Sequence, residues 1–347
     1  MCKQISSRLI FSLISLIALI ILFGCQSSAP TEANCPTDEV LCVGLVTSLS
    51  GIEDRAFNQA TWEGMLSAKT QKAVDWVYYI ETVDSKDYEL NITTLAVAGY
   101  DVIVTVGNQF SEVTINAAKS YPNILFIGVD QTLGDVLPNL VGLAFHNDQS
   151  GFLAGALAAR MTKNNTIAVV LDGETEAAMG AYEEGYEIGA RYIKPEINII
   201  SSYRPDDSAQ SIGAPRWGAN AAAQAIQNGA DVVFAAGETT GYGAMIETAS
   251  HPGLFCIGNE IDQWENVSEA HPCLISSAIK LVKPAVLDIL KLTKDGAFPS
   301  GIYYGSSSLA PYHDFESVIP QGVKDTINQI TTSLSDGSIT TGFLPIK

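Results

Sequence analysis

From Val40 onward the chain alternates short, continuous apolar runs with longer segments whose apolar positions recur at helical spacing. Leu41 to Val46, Val74 to Ile80, Asp101 to Gly107 and Ile124 to Val129 predict strands, and Asn58 to Lys72, Tyr88 to Ala98 and Val113 to Lys119 predict the helices between them. The pattern then repeats. Helices over Phe152 to Met161, Ala181 to Ile193, Ala219 to Gln227 and Tyr242 to Ala249 alternate with strands over Thr166 to Leu171, Ile197 to Tyr203, Ala230 to Ala236, Gly253 to Gly258 and Cys273 to Ile279. The strands carry little polar alternation, as expected where helices cover both faces of a parallel sheet. Two such series predict an α/β protein of two doubly wound parallel-sheet lobes. Ligands of these sheets lie beyond the carboxyl ends of the strands, so two lobes with those ends facing each other enclose a cleft.

The first 25 residues are different in kind. Lys3 and Arg8 are their only charges, and Leu9 to Phe23 is almost wholly apolar, a run too short for a stable membrane span and suited to an export signal. The run ends Leu22-Phe23-Gly24-Cys25, which resembles the bacterial lipobox, with Leu three before the thiol and a small residue directly before it. Residues 1–24 therefore read as a removed signal and Cys25 as the lipid-anchored first residue, on the outer face of the cell membrane. Residues 25–37 read as a polar tether.

Composition narrows the function. The 347 residues are 47% hydrophobic and 16% charged, which excludes intrinsic disorder as the main state. With 38 Asp plus Glu against 19 Lys plus Arg, the formal charge is -19, and loss of Lys3 and Arg8 takes it to -21. Such a chain lacks the clustered cations that a nucleic-acid partner requires. Of the six cysteines, Cys2 leaves with the signal and Cys25 is the anchor; Cys35, Cys42, Cys256 and Cys273 remain. In an exported chain these allow three pairings, of which proximity in sequence favours Cys35 with Cys42 and Cys256 with Cys273. Metal binding is a weak alternative, since there is no C-x-x-C and His146, His251, His271 and His313 are scattered.

The strand-end segments hold the candidate site. They are Thr47 to Asn58, Gly107 to Phe110, Asp130-Gln131, Asp172-Gly173, Tyr203 to Asp207, Gly237 to Gly241, Asn259 to Asp262, and Lys280. Polar, glycine and aromatic residues gather there, the mixture that holds small ligands. No nucleophile elbow, phosphate-binding loop or dinucleotide fingerprint occurs, and no enzyme is expected.

These segments resemble the basic membrane protein family, also called the purine nucleoside receptor family, whose members are type I periplasmic-binding-protein lipoproteins of ABC transporters. The resemblance rests on Val43-Gly44-Leu45-Val46-Thr47, on Asp54-Arg55-Ala56-Phe57-Asn58-Gln59 with Trp62-Glu63-Gly64, and on Gly128-Val129-Asp130. It continues through Phe145 with Gly151 to Gly155, Tyr182-Glu183-Glu184-Gly185-Tyr186 with Gly189, Ala235-Ala236-Gly237, Gly258 to Gln263, and Ser276 to Lys280. It spans about Val43 to Leu290.

The family implies a nucleoside, most often a purine, in the cleft, with no cofactor and no metal. Phe57 and Tyr182 would stack on the base from opposite lobes. Asn58 and Asp130 would meet its polar edge, and Glu260 and Lys280, with Asp262 nearby, would hold the ribose hydroxyls. Asp54, Asn108 and Gly237 complete the expected lining. Ala56 stands where the family has Ser, Glu260 where Asp is common, and Asn108 and Gln109 differ as well, which leaves the ligand's identity open. The resemblance also implies three chain crossings. Lobe 1 would comprise 38–146 and 281–300, and lobe 2 would comprise 147–280 and 301–347. Lys280 to Thr293 would return to lobe 1 as a helix, and in the tail Phe315 to Ile319 would be a strand and Pro320 to Ser335 a helix. The implied partners are a permease and an ATPase, with the receptor itself monomeric. A lipoprotein that senses a sugar or nucleobase would need the same cleft.

Overall fold

Strands β1 (Cys42–Val46), β2 (Trp76–Ile80), β3 (Val102–Val106), β4 (Leu125–Val129) and β5 (Leu140–Phe145) form the first sheet, in the order β2-β1-β3-β4-β5, with every pairing parallel. The computed structural model describes residues 35, 37, 40–131, 133, 136–173, 177–205 and 215–343. The expected signal, Cys25 and residues 26–34 of the tether lie outside the described residues, as do Asp206 and Asp207. In the central strands β1 and β3 every residue is buried, while the edge strand β2 is only partly so. That difference is why the central runs are continuously apolar. Helices α1 (Phe57–Thr70), α2 (Tyr88–Val97) and α3 (Ser111–Ser120) connect these strands.

After β5 the chain passes directly into α4 (Asn147–Met161) and the second sheet. β6 (Thr166–Leu171), β7 (Asn198–Tyr203), β8 (Val232–Ala235), β9 (Phe255–Glu260) and β10 (Leu274–Lys280) repeat the first order as β7-β6-β8-β9-β10. Their helices are α5 (Ala177–Ile193), α6 (Pro215–Gln227) and α7 (Glu238–Ala249). Helix α8 (Val282–Lys294) returns to the first lobe, where Val282, Val286, Ile289 and Leu290 join its core. β11 (Gly301–Gly305) then adds to the first sheet beside β5, and β12 (Ser307–Leu309) pairs antiparallel with β10 in the second. Helix α9 (Gln321–Ser335) closes the second core through Val323, Ile327, Ile330 and Leu334.

Two expectations change. The third crossing falls at Ser306, not at 300, because β11 completes the first sheet. Phe315 to Ile319 is no strand: His313–Phe315 is one 3-10 turn, and the N–H groups of Val318 and Ile319 both bond to Phe315 O. The outer edge of β10 is already taken by β12, so this segment pairs locally while Phe315 packs edge-on against Phe255 at 5.9 Å and Ile319 enters the core.

Close helix packing explains the glycine-rich motifs. A Cβ on Gly155 would lie 2.0 Å from Tyr186 O, and one on Gly189 would lie 2.1 Å from Phe152 O. Only glycine lets α4 and α5 approach this closely. Disulfides Cys35–Cys42 and Cys256–Cys273 join residues with Cα atoms 5.5 and 5.1 Å apart, the first fastening the tether's end to β1 and the second linking β9 to the residue before β10.

Candidate ligand-binding cleft

Lys280 ends β10 at the second crossing, and its side chain is 4% exposed. Its Nζ donates to Asp130 Oδ1 from lobe 1 and to Glu260 Oε1 from lobe 2, both at 3.1 Å. Burial alone would lower the lysine's pKa, but the charges of Glu260 and Asp130 and the Tyr182 hydroxyl outweigh it and hold the ammonium well above the usual lysine range. Removing one ion from water costs several kcal/mol, roughly, so a cation this buried persists only because two anions face it.

The carboxylates themselves are different, with side chains 33% and 31% exposed. Asp130 follows β4 and Glu260 ends β9, with φ of 54° and 65°. Left-handed backbone at a non-glycine residue is uncommon and gathers at functional sites. Their second oxygens, Asp130 Oδ2 and Glu260 Oε2, accept no hydrogen bond from the described residues. The Lys280 ammonium also lies 5.4 Å from the Phe57 ring centroid and 6.0 Å from that of Phe145. The cluster thus joins a buried cation, two water-reachable acceptors and an aromatic face at the carboxyl ends of three strands.

Other expected site residues have different work. Asp54 Oδ1 accepts from the N–H groups of Ala56 and Gln59, and its Oδ2 from the N–H of Asn58, so the carboxylate holds the first turn of α1. Asn58 is 1% exposed and fully used: it accepts from Ser48 N and donates to Ser48 Oγ and Asp54 Oδ2. It offers no edge to a ligand. Tyr182 has no exposed surface and packs 6.1 Å from Phe234 in the core, so its ring presents no stacking face. Burial pushes its phenol up. The geometry around its hydroxyl completes no hydrogen bond, nor does that around the buried Nδ2 of neighbouring Asn259.

Asp262 Oδ1 accepts from Trp264 N, and its Oδ2 meets His313 Nε2 at 2.8 Å. It is engaged in lobe 2, not beside Lys280. Asn108 is exposed and accepts from Ser111 Oγ at the start of α3. Gly237, at φ 95°, leaves room for Asp172, whose Cβ would lie 2.3 Å from any Cβ added there. Asp172 in turn accepts from Arg204 Nε. The structure therefore brings together Phe57, Asp130, Glu260 and Lys280. Phe145 enters the sequence analysis only as a motif residue, not as part of the site, because β5 is not predicted there; a six-residue apolar run directly before α4 is the signal for it.

A cavity of about 540 Å³ lies on the far side of Phe145 from Lys280's carboxylate partners, neither of which lines it; its walls include Phe145, His146, Asp148, Tyr304, Thr341 and Phe343. Phe57, Asp130, Glu260 and Lys280 are not among its walls, and the chemistry, not the volume, marks the site. No group of three or more His, Cys, Asp or Glu able to hold a metal occurs among the described residues.

Two parallel-dominated sheets joined by three crossings, with a polar cluster between the lobes, define the two-lobe fold of type I periplasmic binding proteins. A solute-binding protein of an ABC transporter system from Conexibacter woesei superposes with a TM-score of 0.68 at 19% identity, covering 86% of this chain and 98% of that one. Residues 42–305 match the Bmp family model, described as ABC transporter substrate-binding protein PnrA-like, and the chain belongs to that family. It is 28% identical to the "ABC transporter nucleoside-binding protein BmpA" of Lactococcus lactis subsp. cremoris over 95% of this chain and 97% of that protein. It is 27% identical to the "CD4+ T-cell-stimulating antigen" of Listeria innocua, over 92% and 94% of the two chains. The protein is thus an ABC transporter substrate-binding protein of the Bmp family, an extracytoplasmic transporter component, and no helix among the described residues is long and apolar enough to cross a membrane.

Proposed function

We propose that the protein captures a nucleoside, a purine nucleoside first, between its lobes and delivers it to a permease driven by an ATPase. The observation that carries this reading is Lys280 held between Asp130 and Glu260 beside the Phe57 ring. Ribose presents vicinal hydroxyls, which donate to the two carboxylate oxygens left open and accept from the ammonium's remaining N–H. Hydrogen bonds to charged groups contribute roughly 1.5–3 kcal/mol each. A base stacked on Phe57 adds about 1–3 kcal/mol. The Lactococcus relative, named as nucleoside-binding, supports the same choice. Nothing in this arrangement asks for bond cleavage, and we assign no enzymatic role. Lipid attachment at Cys25 would hold a monomeric receptor at the outer face of the cell membrane.

Calorimetry and thermal shift with guanosine, inosine, adenosine and cytidine, alongside free ribose, test this. Tight binding stabilises the folded state by linkage, about 4 kcal/mol at a thousandfold excess over Kd. Failure of every nucleoside to shift the melting temperature at millimolar concentration would remove the assignment.

A further inference from the structure

We infer that Arg55 and Asn266 form a latch between the lips of the two lobes, and that it holds the closed form without touching the ligand. The inference rests on the two-lobe receptor reading but not on the identity of the cargo. Arg55 lies between β1 and α1 in lobe 1, and Asn266 lies between β9 and β10 in lobe 2. The Arg55 Nη1 donates to Glu265 O at 2.7 Å, and Asn266 Nδ2 donates to Arg55 O at 3.3 Å. Each lip therefore donates to, and accepts from, the other.

The backbone at Arg55 is bent for this purpose. Its φ of 52° is left-handed, an unfavourable conformation for a long side chain, and persists only where neighbours fix it. Asp54 does the fixing, through the bonds to Ala56, Asn58 and Gln59 described above. This gives Asp54 a role in the cleft that needs no contact with ligand.

The opposing lip is equally preset. Asp262 accepts from Trp264 N, and the N–H groups of Asn266 and Val267 both bond to Gln263 O. Trp264 is stacked between His271 at 3.7 Å and His313 at 4.7 Å, nearly parallel to both. Two rigid turns lose little freedom on meeting, so two modest hydrogen bonds bias closure more than they would between mobile loops.

Arg55, Glu265 and Asn266 are exposed, so truncating them leaves both cores intact. The predicted effect falls on dissociation, because a closed-state contact away from the ligand slows opening more than it alters encounter. For guanosine the variants Arg55→Ala and Asn266→Ala should dissociate about five- to tenfold faster, with the association rate within about twofold of wild type. Arg55→Lys, which keeps the charge but not the fork, should fall between.

The second arm needs no nucleoside. Small-angle scattering of the ligand-free mature chain should give a larger radius of gyration for Arg55→Ala and for Asn266→Ala than for wild type. Each single variant removes one of the two hydrogen bonds and keeps the other, whose acceptor is a backbone oxygen, so the double variant should open at least as far as either single. Identical scattering profiles for wild type and variants would overturn the latch. If guanosine, inosine and adenosine all fail to bind while the profiles still differ, the nucleoside reading falls and the latch stands.

Discussion

Asp130 and Glu260 occupy the same place in the two halves of the molecule. β4 lies between β5 and β3, β9 lies between β10 and β8, and each carboxylate stands at its strand's carboxyl end with a left-handed φ. Each accepts from the same ammonium at 3.1 Å. The support is repeated too: Gln131 folds back over Gly128 and Gln263 over Gly258, where any added Cβ would lie 2.4 and 2.6 Å from those side chains. Because Lys280 belongs to the second sheet and Asp130 to the first, this pairing registers one lobe against the other. Strain of roughly 1–3 kcal/mol per left-handed residue is thus concentrated where the ligand would sit.

Asp54→Ala should destabilise the ligand-free protein. The carboxylate serves three backbone N–H groups at the start of α1, and losing a capping side chain costs about 0.5–2 kcal/mol. Urea denaturation without ligand checks it. A residue that only contacted ligand would leave the midpoint unchanged.

Gly155→Ala sets two effects against each other. In an ordinary helix the change gains about 1 kcal/mol in propensity. Here the new methyl would stand 2.0 Å from the backbone oxygen of Tyr186, and backbone cannot rotate away as a side chain can. Overpacking costs about 1–3 kcal/mol or more, so the clash should win and the denaturation midpoint should fall. Gly180→Ala, with nothing within 4 Å of its Cβ, is the matched control and should be neutral or stabilising.

The alternation of apolar runs made the two lobes legible, because parallel strands buried on both faces cannot hide their composition. β5 is not legible in the sequence although all but Ala144 of Leu140 to Phe145 is buried, since it runs into α4 with only His146 between and no turn residues to mark its end. β11 carries Ile302 and Tyr304 half exposed at a sheet edge, so its pattern resembles a loop. At the site, Lys280 was legible as a charge ending an apolar strand. Asp54 and Asn58 resemble ligand contacts in sequence because the side chains that bind a polar ligand are also those that cap a helix, and only geometry separates the two uses. The same ambiguity holds for Tyr182: an aromatic on a helix facing a cleft and one facing the core have the same spacing.

Asp148 should make stability depend on acid. It lies in the first turn of α4 and is 7% exposed. Burial by itself would raise its pKa, but the His146 ring, with Nδ1 3.7 Å from Oδ1, and a hydrogen bond from Thr341 hold it below the usual carboxylate value. A depressed folded pKa contributes stability above the unfolded value, about 3.9, and that contribution is lost as pH falls from there toward the folded value. Asp148→Asn should therefore melt lower than wild type at pH 6, and the gap should narrow by pH 3. Parallel melting curves across that range would show that the carboxylate is not so held.

Lys280→Met and Asp130→Asn separate scaffolding from binding. Removing the ammonium leaves two carboxylates facing each other, and breaking a buried pair costs about 3–5 kcal/mol. Because both acids are about a third exposed, water relieves part of that, and a loss nearer 1–3 kcal/mol is expected. Asp130→Asn keeps the shape and leaves Glu260 on the lysine, so its stability should change by less than about 1 kcal/mol. Binding should not track stability. If ribose hydroxyls donate to the open oxygen of Asp130, the amide variant loses an anionic acceptor and guanosine affinity falls about ten- to a hundredfold, despite a nearly unchanged melting temperature. Lys280→Met should lose at least as much affinity and also lose stability. An Asp130→Asn protein that binds guanosine as tightly as wild type would mean that the two acids serve only to neutralise Lys280, and that the cleft reads its ligand with other groups.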